Sequence, residues 1–320
     1  MDLTPAPFFA DLAEGPAGAR AWWVKAADSL RLRIAHYPSE GTRGNVLLFP
    51  GRTEYVEKYG RAAAVFAEAG YHTLAIDWRG QGLADRMLVE RRTGHVDLFE
   101  DYQRDVAAMT SLVDVLDLPR TQHLVAHSMG GCIGLRALMD GLDVTSAVFT
   151  GPMWGIRIAN PVRPAAWAIA RMSKSMGLGH MFAPGTGAIS YVVGSDFNDN
   201  SLTRDPETWE YMRRQVLAHP ELQLGGPSLN WLHEALAEMR LLSRRPAPNV
   251  PCVCYTGTNE RIVDIDRIRA RMAEWPSGRL EMVADGEHEI MMEVPATRNR
   301  VFADMIDHFA TAGEAQALTA

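Results

Sequence analysis

The 320-residue chain has little cysteine: Cys132, Cys252 and Cys254 are all it holds. An odd count, with a C-x-C spacing inside an apolar run, makes neither a disulfide framework nor a zinc site. We read the three as buried free thiols, as befits a reducing compartment. No run of about eighteen apolar residues occurs, which excludes a transmembrane helix of ordinary length. Residues 1–7 lack a positive region followed by an apolar stretch, so no signal peptide is expected and the cytoplasm is the default location. Positive charge is not in excess. The net charge of −7 argues against a nucleic-acid partner and against non-specific adhesion to anionic membranes, a local basic patch aside. Internal repeats and low-complexity segments are absent. What remains is ordinary globular composition, 47% hydrophobic and 22% charged, long enough for one large α/β domain with an insertion or for two domains.

Strand and helix patterns alternate along this chain. Residues 21–27 and 30–37 carry period-two patterns split by Asp28-Ser29, a hairpin signature. Val46-Leu47-Leu48-Phe49 and Thr73-Leu74-Ala75-Ile76 are short apolar runs, with Tyr55, Tyr59, Ala62 and Phe66 at helical spacing between them. Asp97, with Glu100 three residues on, predicts a capped helix start. Its core stripe is Phe99, Tyr102, Val106, Met109, Val113 and Leu116. Further strands are expected at Leu124-Val125, Ala147-Val148-Phe149, Cys252 to Tyr255 and Leu280 to Ala284. A last amphipathic helix is expected over 296–310, followed by a frayed tail. Short buried runs separated by helices imply a mostly parallel sheet covered on both faces. Residues 152–245 break the rhythm, with many prolines and no convincing strand. They read as a helical cap inserted between two halves of a core, 1–151 and 246–320.

One turn stands out. Ala126-His127-Ser128-Met129-Gly130 follows the run Leu124-Val125 and leads into Gly131, Cys132, Ile133 and Gly134. A strand, a serine between small residues, then a helix is the layout of a nucleophile elbow. It lifts a hydroxyl out of the sheet and leaves backbone N–H groups free at a helix start, where they favour negative charge. The base for such a serine belongs on a loop at the same sheet edge. His288, between the last strand and the last helix, is placed there. His127 adjoins Ser128 around a sharp turn and points away from it. Glu289 has no second histidine three residues on, so this is not a zinc-binding H-E-x-x-H helix. The acid should follow the strand at 252–255. Glu260 is the choice and Asp264 the runner-up, since Asp264 sits where a helix N-cap would. The order serine, acid, histidine is that of α/β-hydrolases. Two backbone donors are needed for an oxyanion: Met129 N–H, and Arg52 N–H in the loop Pro50-Gly51-Arg52-Thr53-Glu54.

These motifs together resemble the bacterial lysophospholipase and monoacylglycerol lipase group of α/β-hydrolases. The resemblance rests on His127-Ser128-Met129-Gly130-Gly131, on Pro50 to Tyr55 with Lys58-Tyr59, on Asp77-Trp78-Arg79-Gly80-Gln81-Gly82, on Gly257 to Asp264 and on Gly286-Glu287-His288-Glu289. In the cap, Asn200 to Pro206 and His219 to Pro227 are similar to lysophospholipase-like members. Ala126, Pro50 and Glu260 depart from the usual Gly, His and Asp. The resemblance implies the α/β-hydrolase fold with a helical cap. It also implies a serine hydrolase that needs no metal or cofactor and works through an acyl-enzyme. A serine at the elbow argues against the Asp-nucleophile epoxide hydrolases and dehalogenases.

The implied substrate is a single-chain lipid ester, lysophospholipid or monoacylglycerol. A short-chain carboxylesterase, a lactonase, an aminopeptidase-like hydrolase and a non-catalytic ligand-binding protein are the alternatives. The cap carries Trp154, Ile156, Ile158, Val162, Trp167, Ile169, Met172, Met176, Met181, Phe182 and Trp231. These line an acyl pocket or form the cap's own core, and for most of them the core reading is preferred. Arg157, Arg163, Arg171 and Lys174 among them meet a head group, a membrane surface or water, water being preferred. A transient peripheral membrane contact through the cap is the one membrane interaction this allows.

Overall fold

In the computed structural model, which describes residues 3–157 and 176–317, nine strands build one sheet. The strands β1 (Thr4–Ala6), β2 (Arg20–Lys25) and β3 (Arg31–Tyr37) form an antiparallel ribbon at one side. The next six are β4 (Gly44–Phe49), β5 (Tyr71–Asp77), β6 (Gln122–His127), β7 (Ser146–Thr150), β8 (Cys252–Gly257) and β9 (Gly278–Val283). They run parallel to one another. The order across the sheet is β1-β2-β3-β5-β4-β6-β7-β8-β9. Each strand expected from the sequence is present. β1 is an addition: three residues with a proline and no alternation gave no pattern to read.

The strands alternate side chains between two helical layers, because successive side chains leave a strand on opposite faces. Leu47, Phe49, Leu74, Ile76, Leu124 and Ala126 belong to one apolar cluster, and Val46, Leu48, Ala75, Val125, Val148 and Val253 to the other. The helices are α1 (Ala10–Ala13), α2 (Gly60–Glu68), α3 (Tyr102–Val115), α4 (Met129–Met139) and α5 (Tyr191–Gly194). They continue with α6 (Pro206–Ala218), α7 (Leu229–Leu242), α8 (Ile265–Ala273) and α9 (Pro295–Ala317). α3, α4, α7 and α8 cover the first face, through residues such as Met109, Ile133, Trp231 and Ile268. α2, α6 and α9 cover the second, through Phe66, Trp209 and Phe309. The described part of residues 152–245 contains helices and no strand. Isolated bridges join Ile156 to Val263 and Pro227 to Gly94. α6 and α7 thus bury side chains in the same two clusters as the sheet.

Two local expectations are corrected. Asp97 does not cap a helix: α3 begins at Tyr102 after a 3-10 turn at Phe99–Asp101. The Asp97 carboxylate faces His95 Nε2 at 3.3 Å instead. The last helix continues to Ala317 instead of fraying after 310.

The strand order decides where a site forms. β4 lies between β5 and β6, so the connections leaving β4 and β6 part to opposite sides and open a crevice at their C-terminal ends. The register pairs Phe49 with Ala126, His127 with Thr150, Thr150 with Tyr255 and Gly257 with Val283. The loops after β4, β6, β8 and β9 therefore emerge along one edge.

Candidate active site

Ser128 occupies the turn from β6 to α4 with φ 50° and ψ −116°. A non-glycine residue held at positive φ carries strain of order 1–3 kcal/mol. Backbone bonds hold it there: Ser128 N donates to Thr150 O at 3.1 Å, and Ser128 O accepts from Gly131 N at 2.9 Å and Met153 N at 2.8 Å. The small residues around it are steric requirements. A Cβ on Gly130 would lie 2.1 Å from Phe49 O and 2.6 Å from Pro50 O, so the start of α4 presses directly on the end of β4. A Cβ on Gly134 would meet the Ala126 Cβ at 3.2 Å. Position 126 thus needs a small side chain, and alanine satisfies it.

The structure brings Ser128, His288 and Glu260 into one chain of hydrogen bonds. His288 Nε2 is 2.8 Å from Ser128 Oγ, and His288 Nδ1 is 2.6 Å from Glu260 Oε2. Glu260 Oε1 accepts from Ile262 N at 2.7 Å and Val263 N at 3.1 Å. Both carboxylate oxygens are therefore engaged. Burial pushes the Glu260 carboxyl up, but the His288 charge and hydrogen bond, with the two backbone N–H groups, outweigh it and hold it below the usual range. An ionised acid at Nδ1 fixes the tautomer that presents a lone pair at Nε2 to the serine hydroxyl. Asp264 lies elsewhere: its side chain accepts from Arg267 N as the N-cap of α8.

Arg52 and Met129 sit on the two loops that Gly130 presses together. Gly51 N donates to Glu54 Oε2, and Thr53 N donates to Gln81 Oε1 at 3.0 Å. Between them Arg52 N–H has no partner among the described residues. Met129 is the first residue of α4, where N–H groups have no intrahelical acceptor. The loop is propped from β5's end. Trp78 Nε1 donates to Pro50 O at 2.9 Å, Gln81 Nε2 to Gly51 O at 3.1 Å, and Asp77 accepts from Val56 N at 2.8 Å and Leu83 N at 2.7 Å. The motif from Asp77 to Gly82 is a cradle for the loop that carries Arg52.

Sequence reading assigned no role to a buried polar quartet next to the Ser128–His288–Glu260 chain. Lys58 Nζ donates to Glu54 Oε1 and to Glu289 Oε1, both at 2.6 Å. Glu289 Oε2 lies 3.3 Å from His127 Nε2, and His127 Nδ1 is 2.9 Å from Thr150 O. Tyr59 donates to Glu54 Oε2 at 2.5 Å. Glu54, His127 and Glu289 place ligand-type atoms within 4.8 Å of one another. The Lys58 ammonium already supplies the positive charge between the two carboxylates. Burial pushes His127 down, but Glu289 and Glu54 outweigh it and raise its pKa. Burial pushes Glu289 up, but His127 and Lys58 hold it well below the carboxylate range. The i, i+4 spacing of Glu54 and Lys58 was the one signal in the sequence. The link to Glu289, 231 residues from Lys58 along the chain, has none.

Ser128 and His288 open into a cavity of about 390 Å³ whose walls are mostly apolar, including Val216, Leu224, Trp231 and Ile156. Of the apolar residues singled out in residues 152–245, Ile156 and Trp231 face this cavity. Trp154 is buried against α4, with Nε1 donating to Gly131 O at 3.0 Å. Met176 and Met181 are exposed. Ile158, Val162, Trp167, Ile169 and Met172 lie outside the described residues, as do Arg163, Arg171 and Lys174. Arg157 is exposed and donates to Glu260 O at 3.3 Å. No helix of the described residues is long and apolar enough to cross a membrane.

A family profile described as serine aminopeptidase, S33, matches residues 40–295. The chain is 30% identical over 285 residues to a probable lysophospholipase L2 of Haemophilus influenzae, covering 88% of each chain. It is also 30% identical over 300 residues to lysophospholipase L2 of Escherichia coli K12, covering 88% of this chain and 85% of that one. Among solved structures it shares its fold with a monoglyceride lipase of Saccharomyces cerevisiae. The TM-score is 0.70 at 20% identity, over 90% of this chain and 94% of that one. The chain belongs to the serine aminopeptidase S33 family of α/β-hydrolases, alongside its lysophospholipase relatives, and is a serine hydrolase of carboxylic esters.

Proposed function

We propose that Ser128, His288 and Glu260 hydrolyse the acyl ester of a single-chain lipid, a lysophospholipid or a monoacylglycerol. The observation that carries this is the unbroken Ser128–His288–Glu260 hydrogen-bond chain at the wall of a largely apolar cavity. Such a cavity is within the size range of small-molecule sites and matches an acyl chain in character. The names of the Haemophilus and Escherichia relatives support the same substrate class.

The chemistry proceeds in two halves. His288 Nε2 takes the Ser128 hydroxyl proton as Oγ bonds to the ester carbonyl carbon. The carbonyl oxygen becomes an oxyanion, received by the Arg52 and Met129 N–H groups. Glu260 stabilises the imidazolium. Collapse breaks the carbon–oxygen bond to the glycerol moiety, which leaves with the proton from His288. Water then attacks the acyl-Ser128 ester with His288 again as base, releasing the fatty acid and restoring the serine. Residues 152–245 act in this reading as the cap that completes the acyl pocket.

The test is hydrolysis of esters of increasing acyl length, with lysophosphatidylcholine and monoacylglycerol alongside, by wild type, Ser128→Ala and Glu260→Gln. Activity should rise with chain length. It should fall by up to roughly a millionfold in Ser128→Ala and by roughly ten-thousandfold in Glu260→Gln. Activity confined to short esters discards the lipid. An unchanged Ser128→Ala discards the nucleophile.

A further inference from the structure

We propose that the Arg52 side chain is a head-group subsite, a guanidinium that receives the phosphodiester of a lysophospholipid while Ser128 attacks its acyl ester. This deepens the lipid-ester reading above and rests on it. The same cavity wall holds Arg52, Ser128 and His288. One phosphodiester and one acyl ester on a glycerol backbone are only a few bonds apart, so both fit one cavity.

The guanidinium is held in place. Nη1 donates to Gly225 O at 2.7 Å. Cζ lies 5.8 Å from the centre of the Trp231 ring.

Its charge, by contrast, is unanswered. Among the described residues no carboxylate lies within ion-pair distance of Arg52. The stretch 158–175, outside the described residues, contains no Asp or Glu at all. Burial lowers the Arg52 pKa to about 10, so the group is still a cation at neutral pH. Lys58, the other cation in the cavity wall, has two carboxylates at 2.6 Å. A half-buried guanidinium without a counter-charge is free to pair with an anion that enters the cavity. One carbonyl uses Nη1, which leaves further N–H donors of the planar fork for phosphate oxygens. A monoacylglycerol brings no such anion.

The test compares acyl-matched lysophosphatidylcholine, lysophosphatidylglycerol and 1-monoacylglycerol on wild type, R52M and R52K. Wild type should favour the two phosphodiesters in kcat/KM. R52M should lose that preference by about tenfold or more, chiefly through KM, and R52K should keep part of it. On the wild type alone, glycerophosphocholine should inhibit monoacylglycerol hydrolysis competitively and more strongly than glycerol does. A ratio of phosphodiester to monoacylglycerol kcat/KM that R52M and R52K leave unchanged, whatever loss they share on all three lipids, or inhibition of the wild type no stronger than glycerol's, overturns the subsite and leaves the lipid-ester reading standing. A wild type that cleaves short esters and none of the three lipids overturns that reading as well.

Discussion

His127 shows how two adjacent residues come to serve different ends. Ser128 turns its hydroxyl to the cavity, while His127, the last residue of β6, points beneath it into the quartet with Glu54, Lys58 and Glu289. When protonated, His127 joins Lys58 in balancing two carboxylates there. Because the folded-state pKa of His127 is raised above its usual value near 6.5, the pairing stabilises the fold fully below about pH 6.5. That contribution is lost as pH rises through the folded pKa. Thermal melts of wild type and His127→Asn between pH 6 and pH 9 should therefore show a gap that narrows toward alkaline pH. A gap that widens would mean that His127 is neutral in the fold. The hydrogen-bonded set Ser128, Glu260 and His288 was legible at this scale because each member follows the end of its own strand, in the order serine, acid, histidine. The quartet was not. Its contacts join residues far apart in sequence, and Glu289 entered the reading only beside a missing zinc-motif histidine and as the last residue of the Gly286 to Glu289 motif.

At the scale of elements, the loop after β4 and the loop after β9 are joined by one side chain. Lys58, on the 3-10 turn Val56–Tyr59, reaches Glu54 beside the Arg52 loop and Glu289 beside the triad histidine. Replacing it with methionine leaves two buried carboxylates without their ammonium. Lys58→Met should lower unfolding free energy by about 3–5 kcal/mol, measured by urea denaturation, and should slow ester hydrolysis at temperatures where the variant is still folded. A loss below about 1 kcal/mol would mean that water reaches those carboxylates as at a surface pair. Elements with strong periodicity were legible: β4 to β9 from their apolar runs, α3 from its stripe. Their exact starts were not, as Asp97 shows. An acidic residue followed three positions later by a glutamate matches a capping box, yet here the chain stays non-helical until Phe99. Its carboxylate is used by His95, a partner that no local pattern reveals.

At the scale of the whole molecule, the sheet brings Ser128, Glu260 and His288 to one edge, and helices α6 and α7 wall the cavity beside them. Arg52, Ser128, Glu260 and His288 come from four separate strand ends, and the parallel register is what brings those ends to one edge. The alternation of strands and helices made that much readable. The shape of the cavity was not readable, because its walls combine α6, α7 and the loops around Ile156 and Ile262 from distant parts of the sequence. Val216 on α6 is buried and lines the cavity. Enlarging it to tryptophan fills space that a long acyl chain would use and leaves the Ser128–His288–Glu260 chain untouched. Each methylene that loses its pocket contact is worth roughly 1–3 kcal/mol. Val216→Trp should therefore cut kcat/KM for long-chain esters by roughly tenfold or more, with short esters little affected. That would shift the chain-length optimum downward. An equal loss at all lengths would place the acyl chain elsewhere, away from the wall that α6 provides.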